Sequence, residues 1–189
     1  MTLCTFDGFS GTPKLAEIVS AKTTLGYYGC QSGKNCLATK LEPGDAVEVY
    51  RVEGDWTCGY LSNRTGAGPG WVKSKDIRLL PLDPNPTPDA WTGTWANGDN
   101  RIQIQLSKTP GRLNLEGSAV WHGIKGVVHT GEFAGEASPD GNHLLFVEAG
   151  ADSCTVDLTL IGKYIVADDN DQCGGANVRF WGIWKRSGN

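Results

Sequence analysis

The second half of this chain alternates apolar and polar residues with a period of two, in short runs separated by turn residues. Ile102, Ile104 and Leu106 oppose Gln103, Gln105 and Ser107, and Val156, Leu158 and Leu160 oppose Thr155, Asp157 and Thr159. That period puts one residue class on each face of a β-strand and leaves one face to be buried. Eight strand-like segments follow, at residues 92–96, 101–107, 112–121, 127–135, 143–148, 154–161, 163–167 and 178–185. The links are short: Thr109-Pro110-Gly111, Ser138 to Asn142, and Gly162 alone. Short links between consecutive strands favour an antiparallel meander. Eight meandering strands avoid exposed edges by closing, so an up-and-down β-barrel is expected, filled by Leu106, Leu115, Leu158 and Phe180.

A second constraint is the run Pro81-Leu82-Asp83-Pro84-Asn85-Pro86-Thr87-Pro88. Four prolines in eight residues favour a stiff, extended linker. It divides the chain into a first domain at residues 1–80, a linker at 81–90 and the barrel at 91–189. The first domain also reads as short strands: 14–19, 46–52, 56–60, 70–72 and 77–80, with a Gly-rich loop over 63–69. Much Gly (26 residues) and almost no Met (1) accord with strands and tight turns throughout. The expected fold class is all-β.

Six cysteines lie at 4, 30, 36, 58, 154 and 173, with an even number in each half and no CxxC pair. This pattern favours disulfides and an oxidising compartment over a zinc site. Cys154 and Cys173 have no other candidate in their half. Cys30–Cys36 and Cys4–Cys58 are the pairing chosen from three N-terminal connectivities. Residues Met1 to Cys4 lack the basic and apolar regions of a leader. The cysteines therefore point to the mature form of a periplasmic or extracellular protein, and no apolar run is long enough to span a membrane. Cys4 as a lipid acceptor would leave an odd cysteine.

The net charge of −4 and the lack of basic runs argue against nucleic acid as a partner. His122, His129 and His143 form no metal motif and read as exposed or hydrogen-bonded. Glu132 and Glu136 share a strand face about 13 Å apart, too far for a glycosidase pair. Asp168, Asp169, Asn170 and Asp171 form an acidic turn, read as solvated rather than as a calcium loop, and pinned by Cys173 as a contact surface. No nucleophile elbow or phosphate loop is present, and no residue pattern asks for a metal or cofactor. Trp56, Tyr60 and Trp71 could line a peptide groove in the first domain. Trp181 and Ile183 fall on the face opposite Phe180 and Trp184, and are expected to pack on the linker, the first domain or a partner.

Two stretches of the first domain, "LEPGDAVEVYRVEGDWTCGYL" and "GPGWVKSKDIRLL", resemble the bacterial SH3-like family of cell-wall-associated proteins. Where that family carries a short Arg-Ser-Gly-Pro-like turn, this chain has "LGYYGCQSGKNCLA", expected as a disulfide loop. The barrel resembles the calycin group, which includes avidins, lipocalins and fatty-acid carriers. Gly93-Thr94-Trp95 in "WTGTWAN" and the late Arg186 carry that likeness. It implies that Trp95 and Arg186 close the barrel base. "DNDQCGGANVRFWGIWKR" is similar to lysozyme-inhibitor-like envelope domains. Together these imply a non-catalytic envelope protein: an inhibitor or immunity protein against a peptidoglycan-degrading enzyme, or a cell-wall peptide binder. Asp169, Asn170 and Trp181 then belong to the contact surface. The alternatives are a carrier of a small apolar ligand and a cell-wall enzyme with an SH3-like targeting module.

Overall fold

A computed structural model describes residues 3–5, 12–20, 24–28, 37–63, 66–150 and 153–187. The chain forms two compact units, Met1–Leu80 and Pro81–Asn189. Both are built almost wholly from β-strands.

The first unit is one antiparallel sheet of seven strands. These are β1 (Leu15–Ile18), β2 (Thr24–Tyr28), β3 (Leu37–Leu41), β4 (Ala46–Glu53), β5 (Trp56–Asn63), β6 (Gly66–Lys73) and β7 (Ile77–Leu79). Their order is β3-β2-β6-β5-β4-β1-β7. The two-residue link between β4 and β5 works because Gly54 takes φ +56°, the positive value that tight hairpins demand. A bulge at Tyr50 shifts the register between Val49↔Gly59 and Arg51↔Cys58. Ala16, Ile18, Leu41, Val47, Leu61 and Val72 pack on one face of the sheet. Cys58 and Trp71 pack on the other with Cys4.

Two expectations change here. The Gly-rich stretch 63–69 is largely strand: Leu61, Ser62 and Asn63 pair with Gly68, Ala67 and Gly66. Pro69 is tolerated because, among the described residues, β2 pairs with β6 only at Gly70 and Trp71. The stretch expected as a disulfide loop, residues 25–38, begins and ends in paired strand, with Tyr28 opposite Leu37. Cys30 and Cys36 themselves lie outside the described residues.

The second unit opens with one helical turn, α1 (Pro88–Trp91), where proline at the helix start supplies a preset φ. The stretch expected to stay extended to residue 90 therefore ends sooner. Eight strands follow: β8 (Gly93–Asn97), β9 (Asn100–Leu106), β10 (Leu113–His122), β11 (Val128–Ala137), β12 (His143–Val147), β13 (Thr155–Ile161), β14 (Tyr164–Asp169) and β15 (Gly182–Arg186). They run antiparallel in the order β11-β10-β9-β8-β15-β14-β13-β12. This is a meander in chain order whose last strand returns to its first. The sheet is a nearly closed barrel, with a seam between β11 and β12 that carries no ladder among the described residues.

The interior is filled. Ile102, Ile104, Leu115, Leu158, Ile165 and the two tryptophans Trp95 and Trp184 are buried in it. Phe146, Phe133, Phe180 and Trp184 form a chain of ring contacts with centroid spacings of 4.9, 4.8 and 6.2 Å. Leu106 departs from expectation. It is the last residue of β9, sits at the rim and is 53% exposed. The final strand begins at Gly182 rather than at 178, and Gly182 takes φ +112° where the chain turns into it. Ile183 lies beside Val166 and both are buried, while Trp181 is half-buried. At the base Arg186 stacks over Trp95 at 4.6 Å and donates to the Ala90 carbonyl. Trp95 Nε1 donates to the Trp91 carbonyl at 2.9 Å. This stack and these two bonds tie α1 to the first and last strands.

Candidate binding surface

In the first unit, β5 and β6 bring Trp56, Tyr60 and Trp71 onto one face, with Trp56 opposite Lys73 and Cys58 opposite Trp71. They do not form an open groove. The Cys4–Cys58 disulfide fastens the N-terminal residues onto this face, and Arg51 Nη2 donates to the Leu3 carbonyl at 2.7 Å. Trp71 is left 1% exposed. Trp56 and Tyr60 remain half-buried. Lys73 Nζ sits 3.9 Å over the Trp56 ring and Arg51 lies 5.2 Å over Trp71, so both rings already hold a cation. Burial pushes the Tyr50 phenol well above its ordinary range, helped by the Glu48 carboxylate and Tyr60.

In the second unit the acidic turn is organised around a residue the sequence does not single out. Arg179 Nε reaches Asp169 Oδ1 at 2.6 Å, its Nη1 reaches Asp171 at 2.7 Å and its Nη2 reaches Asp168 at 3.6 Å. The Asp169 side chain has no exposed surface and also accepts from the Phe180 backbone N–H. The turn is thus ion-paired through a buried Asp169, while the Asp168 and Asp171 side chains stay 49% and 65% exposed. Asn170 Oδ1 accepts from the Thr155 and Gln172 amides, and its Nδ2 donates to the Ser153 carbonyl at 2.8 Å. The Cys154–Cys173 disulfide locks the same segment. Partial burial raises the Asp168 carboxyl above its ordinary value. Three carboxylates converge on a guanidinium here. No group of three His, Cys, Asp or Glu suited to a metal ion occurs among the described residues.

The loop continues onto the β10–β11 hairpin. Gly175 N donates to the Thr130 carbonyl at 3.0 Å, and His129 Nδ1 donates to the Ala176 carbonyl at 2.5 Å. His129 packs on Trp121 with ring centroids 5.3 Å apart. His143 pairs with Asp157 at 2.7 Å at the other end of the barrel, and His122 is exposed. Glu136 is bound by Arg112 and Ser107, whereas Glu132 faces solvent beside a concavity of about 780 Å³. That concavity lies on the outer face, among Arg101, Gln103, Glu116, Ser118, Glu132 and Glu148. The Trp181 carbonyl accepts from Asn97 Nδ2 at 3.3 Å.

Asp169 and Asn170 are therefore brought together as the frame of one loop. Trp56, Tyr60 and Trp71 share a face on which the chain itself covers Trp71 and leaves Trp56 and Tyr60 half-buried. Arg179 lies eight positions beyond Asp171, past Cys173, Gly174 and Gly175, and a lone basic residue there carries no pattern of its own. Compared with known proteins, the chain matches no family model, no curated protein and no solved structure.

Proposed function

We propose that this chain is a non-catalytic binding protein of the cell envelope that inhibits, or confers immunity to, a peptidoglycan-degrading enzyme through the loop end of its barrel. The carrying observation is the double lock on residues 168–180: a disulfide and the pairing of the buried Asp169 carboxylate with Arg179 hold this loop in one shape. A loop fixed before contact loses little conformational entropy on binding, which is how rigid inhibitors gain affinity. The aromatic filling of the interior favours recognition by the outer surface over carriage of an apolar ligand. The Arg186–Trp95 stack accords with the likeness to the calycin group. Two disulfides, and the lack of any helix among the described residues long and apolar enough to cross a membrane, accord with an exported protein.

The test is direct. The purified chain is titrated into a muramidase and an amidase acting on peptidoglycan, with the Asp169→Ala variant alongside. Stoichiometric inhibition that weakens at least tenfold in the variant supports the proposal. Full enzyme activity at micromolar chain, together with no complex by calorimetry, refutes it.

A further inference from the structure

The β10–β11 hairpin ends in a tip that its surroundings hold rigid. Gly123 N donates to the Val127 carbonyl at 2.8 Å, closing the turn. Lys125 sits at φ 58°, ψ 30°, in the left-handed region that a side chain adopts only when its neighbours enforce it. The Trp121 ring lies against Gly123, where an added Cβ would approach ring carbons to 2.5 Å. Trp121 in turn packs on His129, which is bonded to the disulfide-locked loop.

This tip is exposed and, Lys125 aside, apolar. Ile124 is 84% exposed, Val127 48% and Val128 52%. Nothing in the folding of the barrel requires these side chains, since the interior is filled by others. Farther down the same two strands the outward residues change character: Ser118 pairs with Glu132, and Glu116 with Ala134. Four strand residues separate the His122↔Val128 pair from Ser118↔Glu132, about 13 Å. Glu116, Glu132 and Glu148 edge the 780 Å³ concavity there. Its one guanidinium, Arg101, is turned onto the Gly98 and Asn100 carbonyls, both at 2.7 Å. The second unit carries eight Lys and Arg against thirteen Asp and Glu, while the first carries nine against eight.

We infer that the outer face of the β10–β11 hairpin docks a protein segment with an apolar anchor over Ile124 and Val128 and Lys or Arg side chains about 13 Å away over Glu116, Glu132 and Glu148. This deepens the proposed function and rests on it for the identity of the partner as a wall-degrading enzyme. The apolar end supplies most of the hold, because burying exposed aliphatic side chains contributes more than solvent-exposed ion pairs do, and it is not screened by salt. The carboxylate end sets orientation and association rate, which fall as salt rises.

Two arms test the inference. In the first, binding of the muramidase and amidase is compared for wild type, Ile124→Asp, the Glu116→Gln/Glu132→Gln double variant and Leu106→Asp at the opposite rim. Thermal melts confirm that each variant is folded. Ile124→Asp should weaken binding more than tenfold at any salt. The double variant should lose three- to tenfold at low salt only, and Leu106→Asp should change nothing. Binding unaltered in both hairpin variants overturns the inference and leaves the proposed function standing. The second arm needs no enzyme. A synthetic peptide with one Phe followed four residues later by Lys-Arg is titrated into the full chain and backbone amide shifts are followed. Shifts confined to residues 116–134 support the inference even if neither enzyme binds. Shifts at residues 168–173 instead, or none at millimolar peptide, overturn it.

Discussion

The two units solve the same problem, burying enough apolar surface with short strands, in opposite ways. The barrel wraps one sheet around a single continuous core, so its strands share one interior that runs from Trp91 at the base to Val178 near the loop end. The first unit keeps its sheet more open and packs both faces, a Val47–Leu61–Val72 cluster on one side and Trp71 with Cys58 on the other. An open sheet needs something to cover its second face, and here a covalently attached piece of the chain does so. The difference teaches where each unit is free to bind: the barrel, filled inside, offers loops and outer face, whereas the aromatic face of the first unit is already occupied.

Several substitutions break or sharpen this contrast. The largest effect is expected from removing the cover. Cys4→Ser/Cys58→Ser opens a link between residues 54 positions apart and should cost the first unit about 4 kcal/mol, with Trp71 becoming accessible to acrylamide quenching. Scanning calorimetry should show that loss in one transition while the barrel transition stays in place. Equal loss in both would show that the units do not fold separately.

Next comes Asp169→Ala, which strips the half-exposed Arg179 and the Phe180 amide of a buried partner. About 2 kcal/mol is expected in the barrel transition, discounted from the cost of breaking a fully buried pair because Arg179 still meets water. Amide exchange should accelerate across residues 168–180 well before the strands open. Arg186→Ala should cost about 1 kcal/mol through loss of the stack on Trp95, with Arg186→Lys recovering part of it.

The smallest effect needs alkali. The folded Tyr50 phenol titrates above its unfolded value of 10.0, so its contribution is complete below that pH and is lost as pH rises past it. Urea midpoints of the first unit should therefore fall above about pH 10, and Tyr50→Phe should flatten that decline. The barrel transition, followed in the same samples, is the internal reference.

Much of the barrel was legible in the sequence because strand alternation reports burial directly. Ile102 and Ile104 against Gln103, or Val156 and Leu158 against Asp157, can face only one way round. The Cys154–Cys173 link followed from there being no other cysteine in that half. Leu106 misled because alternation says which side a residue faces, not where the barrel ends. The cover over Trp71 was not legible: a cysteine pairing gives a connection, while which face a short segment lies on depends on tertiary packing. Arg179 was missed because an isolated cation has no periodicity. The hairpin tip read only as a turn between His122 and His129, since neither the exposure of Ile124 nor the positive φ at Lys125 leaves a mark in composition.

Pairing of β15 with β8 has a further consequence for how the molecule comes to exist. The two ends of the meander meet only when the five-residue strand β15 has been made, about ninety residues after β8, so the ring stays unlatched until then. A contact of that sequence range is slow to form, and until it does β8 and β14 each present a bare edge. A chain cut before that one strand should therefore aggregate.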